Sequence, residues 1–217
     1  MLSELQEHIA SIYRADPGYD VSDFLITDPA LARMLGADSM LADSEETVLV
    51  QEDEEGLALS VFLDDDIVRR IDAANPLQSL DARLLKDLWT VLEGISHFNY
   101  LAWNAQKNRQ VSLLELEMQG EVDKFVSTLF MAIGQDDGTL ADRLHGWLFD
   151  EVRFHPELDE DQRERYSVAN RYAARFCHGL RDRFERDSHA LLSELRRFYH
   201  LSQGDKISHI HARSWAV

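Results

Sequence analysis

Cysteine is almost missing from this sequence: Cys177 stands alone among 217 residues. A single thiol excludes an internal disulfide framework, so the fold has to rest on its core. Basic residues are scarce too, with 22 lysines and arginines against 40 aspartates and glutamates. The formal charge of -18 repels phosphate backbones and anionic lipid, which argues against nucleic-acid and membrane partners and favours a basic protein partner. No uncharged apolar run approaches the ~20 residues of a membrane span. The opening MLSELQEHIASIYRADP has no apolar signal core behind a basic leader, and with the lone cysteine this gives cytoplasmic placement as the expectation. Glycine-rich phosphate loops, internal repeats and low-complexity tracts are also missing.

What is present is a chain able to bury a substantial core, with 45% hydrophobic and 29% charged residues. Residues 1–40 read as a helical preface of two short amphipathic helices around the turn Asp16-Pro17-Gly18. The second is introduced by Asp28-Pro29, a cap residue followed by proline at the first helical position. The stretch TVLVQEDEEGLALSVFL holds two β-rich runs, about 47–51 and 57–63, joined by an acidic segment ending in Gly56, and predicts a hairpin within 47–63. From Asp64 the apolar spacing is helical, forming a helical core over 64–203, with a C-terminal tail at 204–217. Breaks are expected at Asn75-Pro76, Lys107-Asn108, Asp136-Asp137-Gly138, His155-Pro156 and Gln203-Gly204-Asp205. The fold class is therefore α+β, mostly α, with a small antiparallel hairpin packed on helices in a single domain, 1–217.

One helix stands out. Of the eighteen residues from Leu88 to Ala105 only Glu93 is charged, where the average composition would place about five charges. Such a helix is enclosed on most sides and is the expected centre of the fold, the most buried helix of the chain. Glu93, His97, Tyr100 and Asn104 fall on one stripe of it. The next helix opens with Ser112-Leu113-Leu114-Glu115, a capping-box pattern, and carries Glu117, Glu121, Lys124 and Thr128 on a stripe of its own.

The pair VLEGISHFNYL and ELEMQGEVDKFVSTLFM resembles the helix pair of the gluzincin metallopeptidases, in particular those that cleave phage repressors. The hairpin before the first helix is similar to that family's order of elements, and the resemblance covers about 47–131. It implies a zincin-like core with His97 as the second metal histidine and Glu121 as the third ligand. Glu93 stands where the family has its first histidine, and Gly94 where it has the catalytic glutamate.

Those two departures decide the chemistry. A hydrolytic zinc site needs three protein ligands, an open position for water and a nearby base, and Gly94 is no base. Glu93, His97 and Glu121, with Glu117, could nevertheless form an oxygen-rich metal-ligand set, somewhat better suited to iron or manganese than to zinc. The alternative is a buried Glu93–His97 ion pair reinforced by Tyr100, with Glu117, Glu121 and Lys124 a partly solvated ladder. The two function readings are a partner-binding protein on a zincin-like scaffold without peptidase activity, and a protein binding a divalent metal (zinc, iron or manganese) through an altered Glu/His/Glu set. No catalytic residue is assigned.

Other polar groups read as structure. His209 and His211 lie in a tail expected to be exposed or loosely docked. Arg171, Arg175, Arg181 and Arg183 read as a solvated face, Cys177 as a buried structural thiol, and Trp89, Trp103 and Trp147 as core aromatics.

Overall fold

A computed structural model describes residues 1–36, 44–53, 56–152 and 155–213. Contacts divide the chain into two compact units: Met1–Ala10 with Asp16–Gln110, and Ser11–Ala15 with Val111 onward. The class is α+β and mostly α.

The first unit is built on a sheet. Strands β2 (Glu46–Asp53) and β3 (Gly56–Leu63) form the expected hairpin, with Val48 opposite Val61 and Glu46 opposite Leu63. A third strand, β1 (Leu25–Ile26), runs parallel to β3, so the sheet is mixed, in the order β1-β3-β2, where a plain hairpin was expected. Two residues between turns are too short to show a period in sequence.

Each face of the sheet has its own helix, because successive strand residues point to opposite sides. On one face α2 (Pro29–Gly36) sets Ala32 against Leu49, Phe62 and Ile26. On the other, α4 (Leu85–Ala105) approaches Val61 and Leu63 at Gly94. A Cβ on Gly94 would lie 3.1 Å from Val61 Cγ1, 3.2 Å from Leu63 Cδ2 and 3.2 Å from Glu46 Cγ. Glycine is therefore what lets helix and sheet close.

Local chemistry sets the remaining boundaries of this unit. Asp28 accepts from Ala30 N at 2.8 Å and starts α2 with Pro29 in its first turn. Asp64 caps α3 (Asp65–Ala74), which ends on Asn75 in the left-handed region at φ 46°. Gln6 of α1 (Leu2–Tyr13) donates to Asn99 Oδ1 of α4 at 2.8 Å and accepts from Val21 N at 2.9 Å.

The second unit is helical: α5 (Leu113–Gly134), α6 (Gly138–His145), a π-helical turn (Gly146–Asp150), α7 (Glu160–Cys177), α8 (Leu180–Arg186), α9 (Ser188–Tyr199) and α10 (Gln203–Arg213). Ser112 caps α5 by accepting from Glu115 N at 3.1 Å. The second half of the expected capping box is not made: Glu115 Oε2 accepts from Gln203 N at 3.1 Å and caps α10 instead. The complete capping box belongs to Asp159 and Gln162 at the start of α7.

Over residues 204–213 the expected tail is helix instead, and the remainder of that expected tail, 214–217, lies outside the described residues. Gly204 lies inside α10, and the break precedes it, at residues 200–202. Ile210 and Lys206 of α10 are buried, and Lys206 Nζ donates to Gln119 of α5. Tyr13 stacks on Tyr199 at 4.3 Å and Phe176 on Phe198 at 3.8 Å.

Helix α4 is deeply buried, as expected, but α5 is more so: 17 of its 22 residues are buried against 13 of 21 in α4. The three tryptophans are half-buried rather than core residues. Trp103 packs under Lys107, and Trp147 under Arg143 at 4.3 Å.

Candidate functional site

The nominated residues sit on α4 of the first unit and α5 of the second. On α4, Glu93 is half-buried, and one turn later His97 is only 6% exposed. Its Nδ1 faces Oε1 of Glu46, on β2, at 3.6 Å. That is an ion-pair distance, longer than a direct hydrogen bond. Further along the stripe, Tyr100 and Asn104 are fully buried, and both are addressed by Arg109 from the turn after α4. Its guanidinium donates to Asn104 Oδ1 and, at 3.4 Å, to the Tyr100 hydroxyl.

Glu46 was not among the residues picked out in the sequence. Its placement follows from the sheet. It pairs with Leu63, which faces α4, and the missing side chain at Gly94 leaves room for its stem beside the helix. The alternation of the β2 run carried this information. It became readable only once the register and the face turned to α4 were known.

On α5, Glu117, Glu121 and Lys124 are each less than one-tenth exposed. The ladder expected to be partly solvated is thus buried. Lys124 Nζ donates to Glu121 Oε1 at 3.0 Å, and Thr128 Oγ1 returns to the Lys124 carbonyl at 2.7 Å. Glu117 has the guanidinium of Arg165, on α7, 4.0 Å from its Oε1. Glu121 and Asp123 also act on the buried thiol of Cys177: burial raises its pKa well above the ordinary thiol value, and the two carboxylates add to the rise. Cys177 is therefore held as an unreactive thiol. Tyr13 is pushed up in the same way, first by burial and then by Asp123.

His209 and His211 separate in role. His211 is exposed, whereas His209 packs beside the stacked rings of Phe176 and Phe198 with its Nε2 3.6 Å from Glu194 Oε1. Glu194 also pairs with Arg183. Arg181, from the same arginine-rich stretch, pairs with Asp142 and Glu185.

Among the described residues no helix is long and apolar enough to cross a membrane. No family model matches the chain, and neither does any curated protein or solved structure. The chemistry has to be argued from the residues themselves.

Proposed function

We propose that this protein binds a divalent cation through Glu93, His97 and Glu117 and does so without peptidase activity; Glu121, the other carboxylate of the expected set, is paired with Lys124. The observation that carries the reading is Glu46 at Nδ1 of His97. A carboxylate at ion-pair distance from one imidazole nitrogen is the kind of neighbour that orients metal-binding histidines. Glu93, one helical turn before His97, projects from the same side of α4. It is also the one charged residue that this helix retains between Leu88 and Ala105.

A set of two carboxylates and one imidazole favours manganese or iron(II) over zinc. The proposed scaffold is a zincin-like helix pair in which the position of the water-activating glutamate, Gly94, serves the contact with the sheet instead. Loss of a positioned general base costs roughly 100- to 10,000-fold in rate. The protein therefore acts by binding, not by hydrolysis.

The test is elemental analysis of protein purified without a metal-affinity column, followed by calorimetric titration with manganese, iron(II) and zinc. One equivalent is expected, lost in His97→Ala and in Glu93→Gln. At ~100 times Kd the cation stabilises by about 2.7 kcal/mol, which raises Tm by roughly 5–10 °C for a chain of this size. The expected result with casein and short peptides is no chelator-sensitive cleavage. Equal affinity of the parent and both variants would overturn the ligand assignment.

A further inference from the structure

We infer that the solvent face of α9, with Arg14 beside it, is a docking site for a short acidic segment of a partner protein. His189, Ser193, Arg196, Arg197 and the cap residue His200 recur at helical spacing and share one face, an arc of about 100°. Four of the five are exposed, and Arg196 is half-buried. The face carries no carboxylate. The one acidic residue of α9, Glu194, lies outside the arc and pairs with Arg183.

Arg14 joins this face because two helices end together. Tyr13, the last residue of α1, stacks on Tyr199, the last of α9, at 4.3 Å. Arg196 Nε donates to the Ile12 carbonyl at 3.0 Å, and Arg14, which is exposed, follows two residues on. Loss of hydration first, and the charge of Arg14 second, lower the pKa of Arg196, so the two guanidiniums feel each other.

Cations also gather at helix C-termini merely to answer the helix dipole. Two such ends present about half a negative charge each, roughly one in all, against three guanidiniums. About two positive charges are left over. Among the described residues none of Arg14, Arg196 and Arg197 has an ion-pair partner, whereas Arg181 and Arg183 of α8 both have one.

The charge around the face selects the occupant. A basic partner answers the formal charge of -18 on the whole chain. Over a face roughly 16 Å long the local charge decides, because physiological salt screens interactions beyond about 8 Å. A nucleic acid or an anionic membrane extends past such a face along a chain whose formal charge is -18, and is repelled. About five extended residues span the face. A segment of that length rich in glutamate or aspartate meets the arginines with carboxylates and finds hydrogen-bond partners in Ser193 and the two imidazoles.

This inference is independent of the cation reading and is tested without metal. A dye-labelled hexaglutamate peptide is titrated into the full chain, with hexalysine, a short DNA duplex and phosphatidylserine vesicles as comparisons. Expected are saturable binding of hexaglutamate alone, weakening with salt, and shifts of the Arg14, Arg196 and Arg197 side-chain resonances on binding. Each exposed pair is worth roughly 1.5- to 5-fold in affinity, so Arg14→Glu with Arg197→Glu, which turns two attractions into repulsions, is expected to weaken binding by roughly tenfold or more. Arg171→Glu with Arg175→Glu makes the same change in net charge at two exposed positions of α7, and its expected effect is below about twofold. Melting curves check that both variants fold. An equal loss in the two would overturn the site in favour of general charge attraction, and so would the absence of hexaglutamate binding at millimolar concentration. Tighter binding of hexalysine, DNA or vesicles would overturn the choice of occupant. A dimer of the parent in sedimentation that the Arg14→Glu, Arg197→Glu variant abolishes would overturn it too, in favour of a second copy.

Discussion

Glu46 reaches Nδ1 of His97 across the junction of β2 and α4, and it does so where Gly94 has no side chain. The three positions form one device: the glycine admits the sheet, and the sheet brings the carboxylate to ion-pair distance from the imidazole.

A side chain at Gly94 is expected to break that device. Alanine in a helix interior is favoured over glycine by ~1 kcal/mol. Here its Cβ meets Val61 and Leu63, both held in the sheet, and overpacking costs ~1–3 kcal/mol. The steric term wins, so Gly94→Ala is expected to lower stability by about 1 kcal/mol in denaturant titration. Gly94→Glu, which puts a larger side chain into the same contact, should lower it further and confer no proteolysis. A stable, proteolytic Gly94→Glu variant would refute this account of the glycine.

Removing His97 leaves the half-buried Glu46 carboxylate without its imidazole. His97→Ala is expected to destabilise by about 3 kcal/mol, the lower end of the range for breaking a buried pair. Glu46→Gln in the same background should recover part of the loss. A coupling energy near zero in the double-mutant cycle, followed by thermal melts, would show that the 3.6 Å approach carries no energy.

How far the sequence reached can be judged from these residues. The uncharged run around Glu93 and His97 marked a buried helix, and the hairpin signals marked β2 and β3, because both rest on local periodicity. The two-residue β1, the role of Glu46 and the role of Gly94 depend on which face of the sheet meets which helix, a property of register that no local window contains. The C-terminal misreading has a similar cause. HIHARSW looks polar and tail-like in isolation, yet Lys206 and Ile210 are covered within the second unit. Glycine at 204 and a lysine in an apolar surrounding both point away from a packed helix unless the partner, Gln119, is known.

Lys206 offers a sharp check of that packing. It is fully buried, with its ammonium on Gln119, which in turn donates to Asp123 at 2.6 Å. Lys206→Ala removes the cation from a buried carboxylate network and leaves Gln119 Oε1 short of a donor, so a loss of about 2–4 kcal/mol is expected. Lys206→Met keeps the stem volume and should cost less than Ala. Equal melting temperatures for all three proteins would mean that α10 is not packed as described.

The last prediction concerns pH and the histidine at 209. Burial, with Arg197 and Arg183 nearby, lowers its pKa below the ordinary 6.5, and the Glu194 carboxylate 3.6 Å away does not reverse the shift. A base whose folded pKa is depressed binds fewer protons folded than unfolded at mildly acid pH. Its contribution is therefore intact above about 6.5 and is lost as pH falls from there through the folded value. His209→Gln keeps a polar, planar group that does not titrate. Between pH 7.5 and 5.5 the parent is expected to lose more stability than the variant, and the difference between their melting curves should widen steadily toward acid. The comparison cancels the other eight histidines, which both proteins share. Parallel pH profiles for the two would show that His209 ionises equally in the folded and unfolded chain, and packing beside the Phe176–Phe198 stack would then not desolvate it as described.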